Sequence, residues 1–175
     1  MPKIIKDVEN KILLEAKNLL VNSNYASFNI RELSKKSGFS TGTIYNYFTN
    51  KKELVNSVFF KDWDDALERM SKINVTYSTF EEKLFQIYLE MDNFLKVFFQ
   101  IFLEISSLSH SNCHPACLNS LKDLLDEIVT CEKLNKNLTS NLSNETICKF
   151  LISNLMLLCT DKTLNFDEFY SMIKL

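Results

Sequence analysis

Two glycines serve the whole chain of 175 residues, and both fall within five positions, at Gly38 and Gly42. Glycine is the residue that enters left-handed backbone at no steric cost, so a sharp reversal between two elements is marked here and nowhere else. With two prolines and no period-two alternation of apolar residues, a sheet has little to be built from, and the chain is predicted to be all-α.

The segment around the glycines, FNIRELSKKSGFSTGTIYNYFTNKKEL at 28 to 54, carries three helix starts. Asn29 with Glu32 three residues on forms a capping box that opens a short helix near Ile30. Ile30 and Leu33 point inward and Lys35 and Lys36 outward, and Gly38 ends the helix. Ser40 is the next N-cap and opens a second short helix at Thr41. Helices joined by so short a turn cross steeply, which is the helix-turn-helix geometry. Asn50 with Glu53 then boxes the start of a longer helix at Lys51. Ile30, Leu33, Phe39, Ile44, Phe48 and Leu54 close one small core, leaving Thr41, Thr43, Asn46 and Tyr47 facing out.

Gly42 lies in the first turn of a helix, where it costs roughly 1 kcal/mol relative to alanine. Close approach of the backbone to a partner accounts for it. Tyr45, Tyr47 and Lys51 around it supply hydroxyls and an ammonium at a spacing that reaches a phosphate backbone while the short helix lies in a groove. Tyr45 is expected to pack as well as to contact phosphate.

These residues resemble the DNA-binding signature of the TetR/AcrR family of one-component transcriptional regulators. The marks are the Gly38-Phe39-Ser40 turn, Gly42-Thr43-Ile44-Tyr45, the Tyr47-Phe48 pair and the Asn50-Lys51 junction. The likeness is specific over about residues 8 to 60 and architectural beyond. It implies a homodimer that binds a double-stranded DNA operator and whose C-terminal domain takes a small ligand that releases the DNA. Carried over by position, Arg31 faces a base edge or a phosphate, Thr41, Thr43, Asn46 and Tyr47 face the major groove, and Tyr45 and Lys51 hold phosphates. Asn29, Ser40 and Gly42 complete the expected DNA-facing set. Ser34 departs from the family's usual small alanine, and the chain is shorter than most members.

The net charge of −2 is unevenly spread. Residues 1 to 60 hold nine Lys and Arg against five Asp and Glu, and the other 115 hold eleven against seventeen. A basic head on an acidic body suits a DNA binder. The expected division is a helix-turn-helix domain over 1–50 and a helical regulatory and dimerisation domain over 51–175. With no signal peptide and no apolar run of transmembrane length, the protein is expected to be cytoplasmic, off the membrane, with its five cysteines reduced.

Residues 4 to 22 place Ile5, Val8, Ile12, Ala16 and Leu19 on one helical stripe, the third member of the head. The helix from Lys51 is predicted to run to about Lys72 as a stiff lever, turning Phe59, Phe60, Trp63, Leu67 and Met70 to the body and Asp62, Asp64 and Asp65 to water. Thr79 with Glu82 caps the next helix, where aromatics occupy too many faces for one buried stripe and either pack solidly or enclose a ligand. Trp63, Tyr88, Glu90, Phe94, Phe98, Phe102 and Glu104 are the candidate pocket, the two glutamates being possible partners of a cationic ligand if buried.

The SHSNCHPAC segment holds both histidines. His110, Cys113, His114 and Cys117 offer nitrogen and sulfur at spacings that match no paired CxxC arrangement, so a loop leading to a helix near Pro115 is expected, with no metal or other cofactor. A redox or metal sensor built on the same fold is the competing function, and a helical interaction protein the third. The helix opened by Ser143 is apolar on nearly all faces, and Asn165 with Glu168 boxes a last short one. Ile147, Phe150, Leu151, Leu155, Leu158, Phe169 and Ile173 are the candidate dimer interface. An enzyme is not expected: no nucleophile stands beside a base, and no glycine-rich phosphate loop exists.

Overall fold

The computed structural model describes residues 7–22, 25–108, 113–161 and 163–173, without the side chains of residues 102, 104–108 and 113–116. Every regular element among the described residues is a helix: α1 Val8–Val21, α2 Ile30–Ser37, α3 Thr41–Tyr47, α4 Lys51–Ser71, α5 Ile73–Thr76, α6 Phe80–Leu108, α7 Cys113–Leu134, α8 Asn144–Thr160 and α9 Phe166–Ile173. Contacts divide the chain into two compact units, Met1–Asp62 with Val97–His110, and Trp63–Lys96 with Ser111–Leu175. Helices α4 and α6 contribute residues to both.

In the first unit α1 buries Ile12, Ala16 and Leu19 along the expected stripe, with Leu13 and Leu20 beside them. Ile30, Leu33, Ile44, Phe48 and Leu54 are buried as the spacing predicts, while Phe39, expected in the same core, is only half-buried. Each buried one contributes on the order of 1.5–3 kcal/mol by leaving water. Asp62 corrects the sequence reading. It was expected to face water, yet it is buried and ion-paired with Lys17 of α1, because a buried carboxylate must find a cation. Phe98 is buried edge-on to Phe59, 5.5 Å between centroids.

The start of α4 also departs from the expected box. Asn50 does cap the Glu53 N–H at 2.9 Å, but the Glu53 carboxylate reaches past it to the N–H of Thr49, 2.6 Å, and to the Thr49 hydroxyl. Those bonds to the ionised form hold the Glu53 carboxyl below its ordinary value of 4.5.

In the second unit, Thr79 and Glu82 form the full reciprocal box at the start of α6, 3.1 Å in each direction, and Asn165 and Glu168 do the same for α9. Helix α6 passes through Asp92 and Asn93 without a break. Trp63 is buried edge-on to Phe94, 4.9 Å between centroids. The second and third turns of α6 meet the start of α9 in an aromatic cluster centred on Phe166, which lies 5.0 Å from Phe85 and 5.7 Å from Tyr88. Near the far end of α7, Glu132 accepts from Lys83 at 2.6 Å, with side chains only 1% and 7% exposed. Asn137 donates to its other oxygen at 2.9 Å. Neither charge is left unpaired, which is the condition for burying both.

Candidate nucleic-acid interface

Short-range devices fix the ends of α2 and α3 and the turn between them. The Asn29 side chain accepts from the Arg31 N–H at 2.8 Å. Glu32 does not complete the expected box; it pairs with Lys36 one turn on, 3.5 Å away, which supports an exposed helix equally well. At the other end Gly38 adopts φ 74°, and its N–H closes on the Ser34 carbonyl at 3.1 Å. Ser34 then explains itself: its hydroxyl donates to the carbonyl of Phe39 at 2.7 Å, tying the last turn of α2 to the residue before the α3 cap. Ser40 accepts from the Thr43 N–H at 3.0 Å, and its hydroxyl lies 2.9 Å from that of Thr43.

Ile44 is the one fully buried residue of α3. Tyr45 is 51% exposed and Tyr47 45%. Asn46 and Gly42 are exposed, and Thr41 and Thr43 half-buried. A methyl built on Gly42 would meet only the Ser40 hydroxyl, at 3.7 Å. The fold itself therefore does not demand glycine there.

Beside α3 lies an open cleft of about 520 Å³ in which Asn29, Arg31, Thr41, Tyr45 and Lys51 come together with Ser27 and Phe28. Two cations, a phenol, hydroxyls and an amide converge on one concavity, a donor-rich lining suited to an anion. The connector at 25–28 was not among the sequence candidates. The Lys51 ammonium donates to the Ala26 carbonyl at 3.3 Å and lies 4.5 Å from the centre of the Tyr25 ring and 5.8 Å from that of Phe28. Partial burial raises the Tyr25 phenol above its ordinary value, so it stays protonated at neutral pH. No turn or helix signal in the sequence pairs residues 25–28 with Lys51, which is why the connector was missed.

The described pocket candidates meet partners within their own units. Trp63 packs on Phe94, Phe98 on Phe59 and Tyr88 on Phe166. Glu90, expected to need a cationic ligand if buried, has its cation within the chain: Arg69 lies 2.9 Å away. Phe102 and Glu104 lie outside the described side chains. Of the interface candidates, Leu151, Leu155, Leu158 and Phe169 are corrected to core, being buried within the single chain. Ile147 and Ile173 are half-buried. Phe150 is 49% exposed, as is Leu157, seven residues on and so on the same helical face, which the sequence reading passed over.

His110 lies outside the described residues, as do the side chains of Cys113 and His114, while Cys117 is half-buried. Helix α7 starts at Cys113, so part of the expected loop is helical. Among the described residues no group of three or more His, Cys, Asp and Glu is placed to hold a metal ion. Burial, with Asp126 adding to it, pushes the Cys148 thiol up to about 11, which leaves it unreactive at neutral pH. No described helix is long and apolar enough to cross a membrane.

Residues 12–58 match the family model of bacterial regulatory proteins, tetR family, the family the motif resembles. A fatty acid metabolism regulator protein of Bacillus subtilis is 30% identical over 74 residues, a segment spanning 42% of this chain and 38% of the relative. Among solved structures, the transcriptional regulator FadR from Bacillus subtilis in complex with stearoyl-CoA superposes with a TM-score of 0.63 at 20% identity, covering 90% of each chain. The reduced form of NemR from E. coli gives 0.73 at 14%, covering 96% of this chain and 95% of that one. At such identities the likeness shows the fold alone.

Proposed function

We propose that this chain, whose residues 12–58 match the family model of bacterial regulatory proteins, tetR family, is a dimeric, ligand-responsive transcriptional repressor that leaves its operator when a small apolar or amphipathic effector binds. The observation that carries the DNA half is the outward face of α3. Asn46, Tyr45 and Tyr47 stand exposed beside a cleft that holds Arg31 and Lys51. Asn46 and Tyr47, with Thr41 and Thr43, read base edges in the major groove, while Tyr45, Lys51 and Asn29 hold phosphates and set the register. Gly42 lets the backbone come close.

One seven-residue helix reads too few base pairs to be selective, so two copies are needed, their heads about one DNA turn or roughly 34 Å apart. The exposed Phe150 and Leu157 stripe of α8, with Ile147 beside it, supports pairing through that helix. Residues 1–50, with Lys51 at the start of α4, serve DNA and the rest of 51–175 serves regulation and pairing in this scheme. An effector acts by binding the DNA-incompetent arrangement better than the competent one, and one with equal affinity for both would do nothing. The apolar, aromatic body supports an effector with an apolar part, and the solved relative holding stearoyl-CoA makes an acyl chain the first class to try.

The test is a titration of the purified protein against a duplex from the DNA upstream of its own coding sequence, with the mass in solution measured alongside. Sequence-selective binding by a dimer that an acyl-CoA relieves supports the proposal. A monomer that binds no duplex selectively contradicts it.

A further inference from the structure

We propose that Tyr25 and Phe28 are positioning residues for Lys51, their rings forming a cradle that presets its ammonium at the edge of the cleft where a DNA backbone phosphate docks. The inference rests on the DNA-binding proposal above and names the residues that prepare the site. Both ring centres, at 4.5 Å and 5.8 Å, fall within the roughly 6 Å over which an aromatic face attracts a cation. The Ala26 carbonyl adds a third point of hold at 3.3 Å. These holds come from one four-residue connector, 25–28, which itself runs into the Asn29 cap and lines the same cleft as Arg31 and Tyr45.

The chemistry of the holds matters. A carboxylate partner would fix a lysine but cancel its charge towards an incoming anion, whereas a ring face and a carbonyl fix it and leave the charge in place. Lysine is a long side chain with much rotamer freedom to lose, and ordering it before the encounter moves that loss from binding to folding. Lys51 is also the first residue of α4, so its backbone is set by the Asn50 cap while its ammonium is set by the connector.

A duplex selected from a random pool by the wild-type protein serves as probe, with affinity read by fluorescence anisotropy across a salt series. Tyr25→Leu is expected to weaken binding roughly 2- to 5-fold, the exposed-site range of a cation over a ring, and Tyr25→Phe to restore it. Lys51→Met is expected to flatten the salt slope by about 1, while Tyr25→Leu, which keeps every charge, leaves the slope unchanged. In the Lys51→Met background Tyr25→Leu adds no further loss, since its partner is gone. The same loss in both backgrounds, or none in the wild type, overturns the inference while leaving DNA binding intact. A wild-type protein that selects no duplex sinks both proposals.

Folding of the variant need not enter. In the free wild-type protein the ε-methylene protons of Lys51 should resonate upfield, shifted by the ring currents of Tyr25 and Phe28, and unshifted protons would equally overturn the cradle.

Discussion

Replacing Gly42 by alanine separates what the fold wants from what the function wants. The added methyl would find only the Ser40 hydroxyl, at 3.7 Å, an ordinary van der Waals contact, and the position carries no left-handed backbone. Alanine should therefore stabilise the free protein by about 0.5–1 kcal/mol through helix propensity and the lost freedom of the unfolded chain. For a chain of this size that is a rise in Tm of roughly 1–4 °C. On DNA the sign reverses. A methyl inserted where backbone meets groove overpacks a tight contact, at about 1–3 kcal/mol, or roughly 5- to 150-fold in affinity. Calorimetry of the free variant and anisotropy on a selected duplex read the two effects independently. A variant with higher Tm and unchanged affinity would refute the reasoning, since Gly42 would then serve neither fold nor partner.

The buried pair in the body gives a second test. Lys83→Met leaves Glu132 charged and without its cation and should cost about 3–5 kcal/mol, while adding Glu132→Leu should recover most of it; urea denaturation showing additive losses would contradict the pairing. Cys148 should be the slowest of Cys117, Cys131, Cys148 and Cys159 to react with iodoacetamide in the folded protein, because its thiol sits at about 11; mass spectrometry finding it modified as fast as the others would count against its burial. Glu53 and Glu82, which accept backbone hydrogen bonds at helix starts, should titrate below 4.5. A depressed folded value means that their contribution is fully present above the unfolded value and fades as pH falls through the folded one; carboxyl resonances titrating at or above 4.5 would show the caps unmade.

The head was legible in the sequence because its signals are local. Asn29, Gly38, Ser40 and Asn50 act on neighbours within four residues, so their side-chain chemistry announces where helices start and stop. Box partners were less certain, since a glutamate at the third position can choose among nearby donors and cations, as Glu32 and Glu53 did. Long-range pairings left no trace in spacing: Lys17 with Asp62, Arg69 with Glu90, Lys83 with Glu132, and Lys51 with Tyr25. Helix α8 misled because it is apolar nearly all round. Composition then cannot say which stripe is core, and Leu151, Leu155 and Leu158 turned inward while Phe150 and Leu157 stayed out.

The central claim is that α3 reads bases while the cleft beside it holds the backbone. The most direct measurement is to select duplexes from a random pool with three proteins, wild type, Asn46→Ala and Lys51→Met, and to compare both affinity and sequence preference. Asn46→Ala should relax the preference at one or two base pairs, at about 1–3 kcal/mol, whereas Lys51→Met should weaken every duplex alike and lower the salt slope by about 1. Loss of selectivity from Lys51→Met with an unaltered preference in Asn46→Ala would contradict the account.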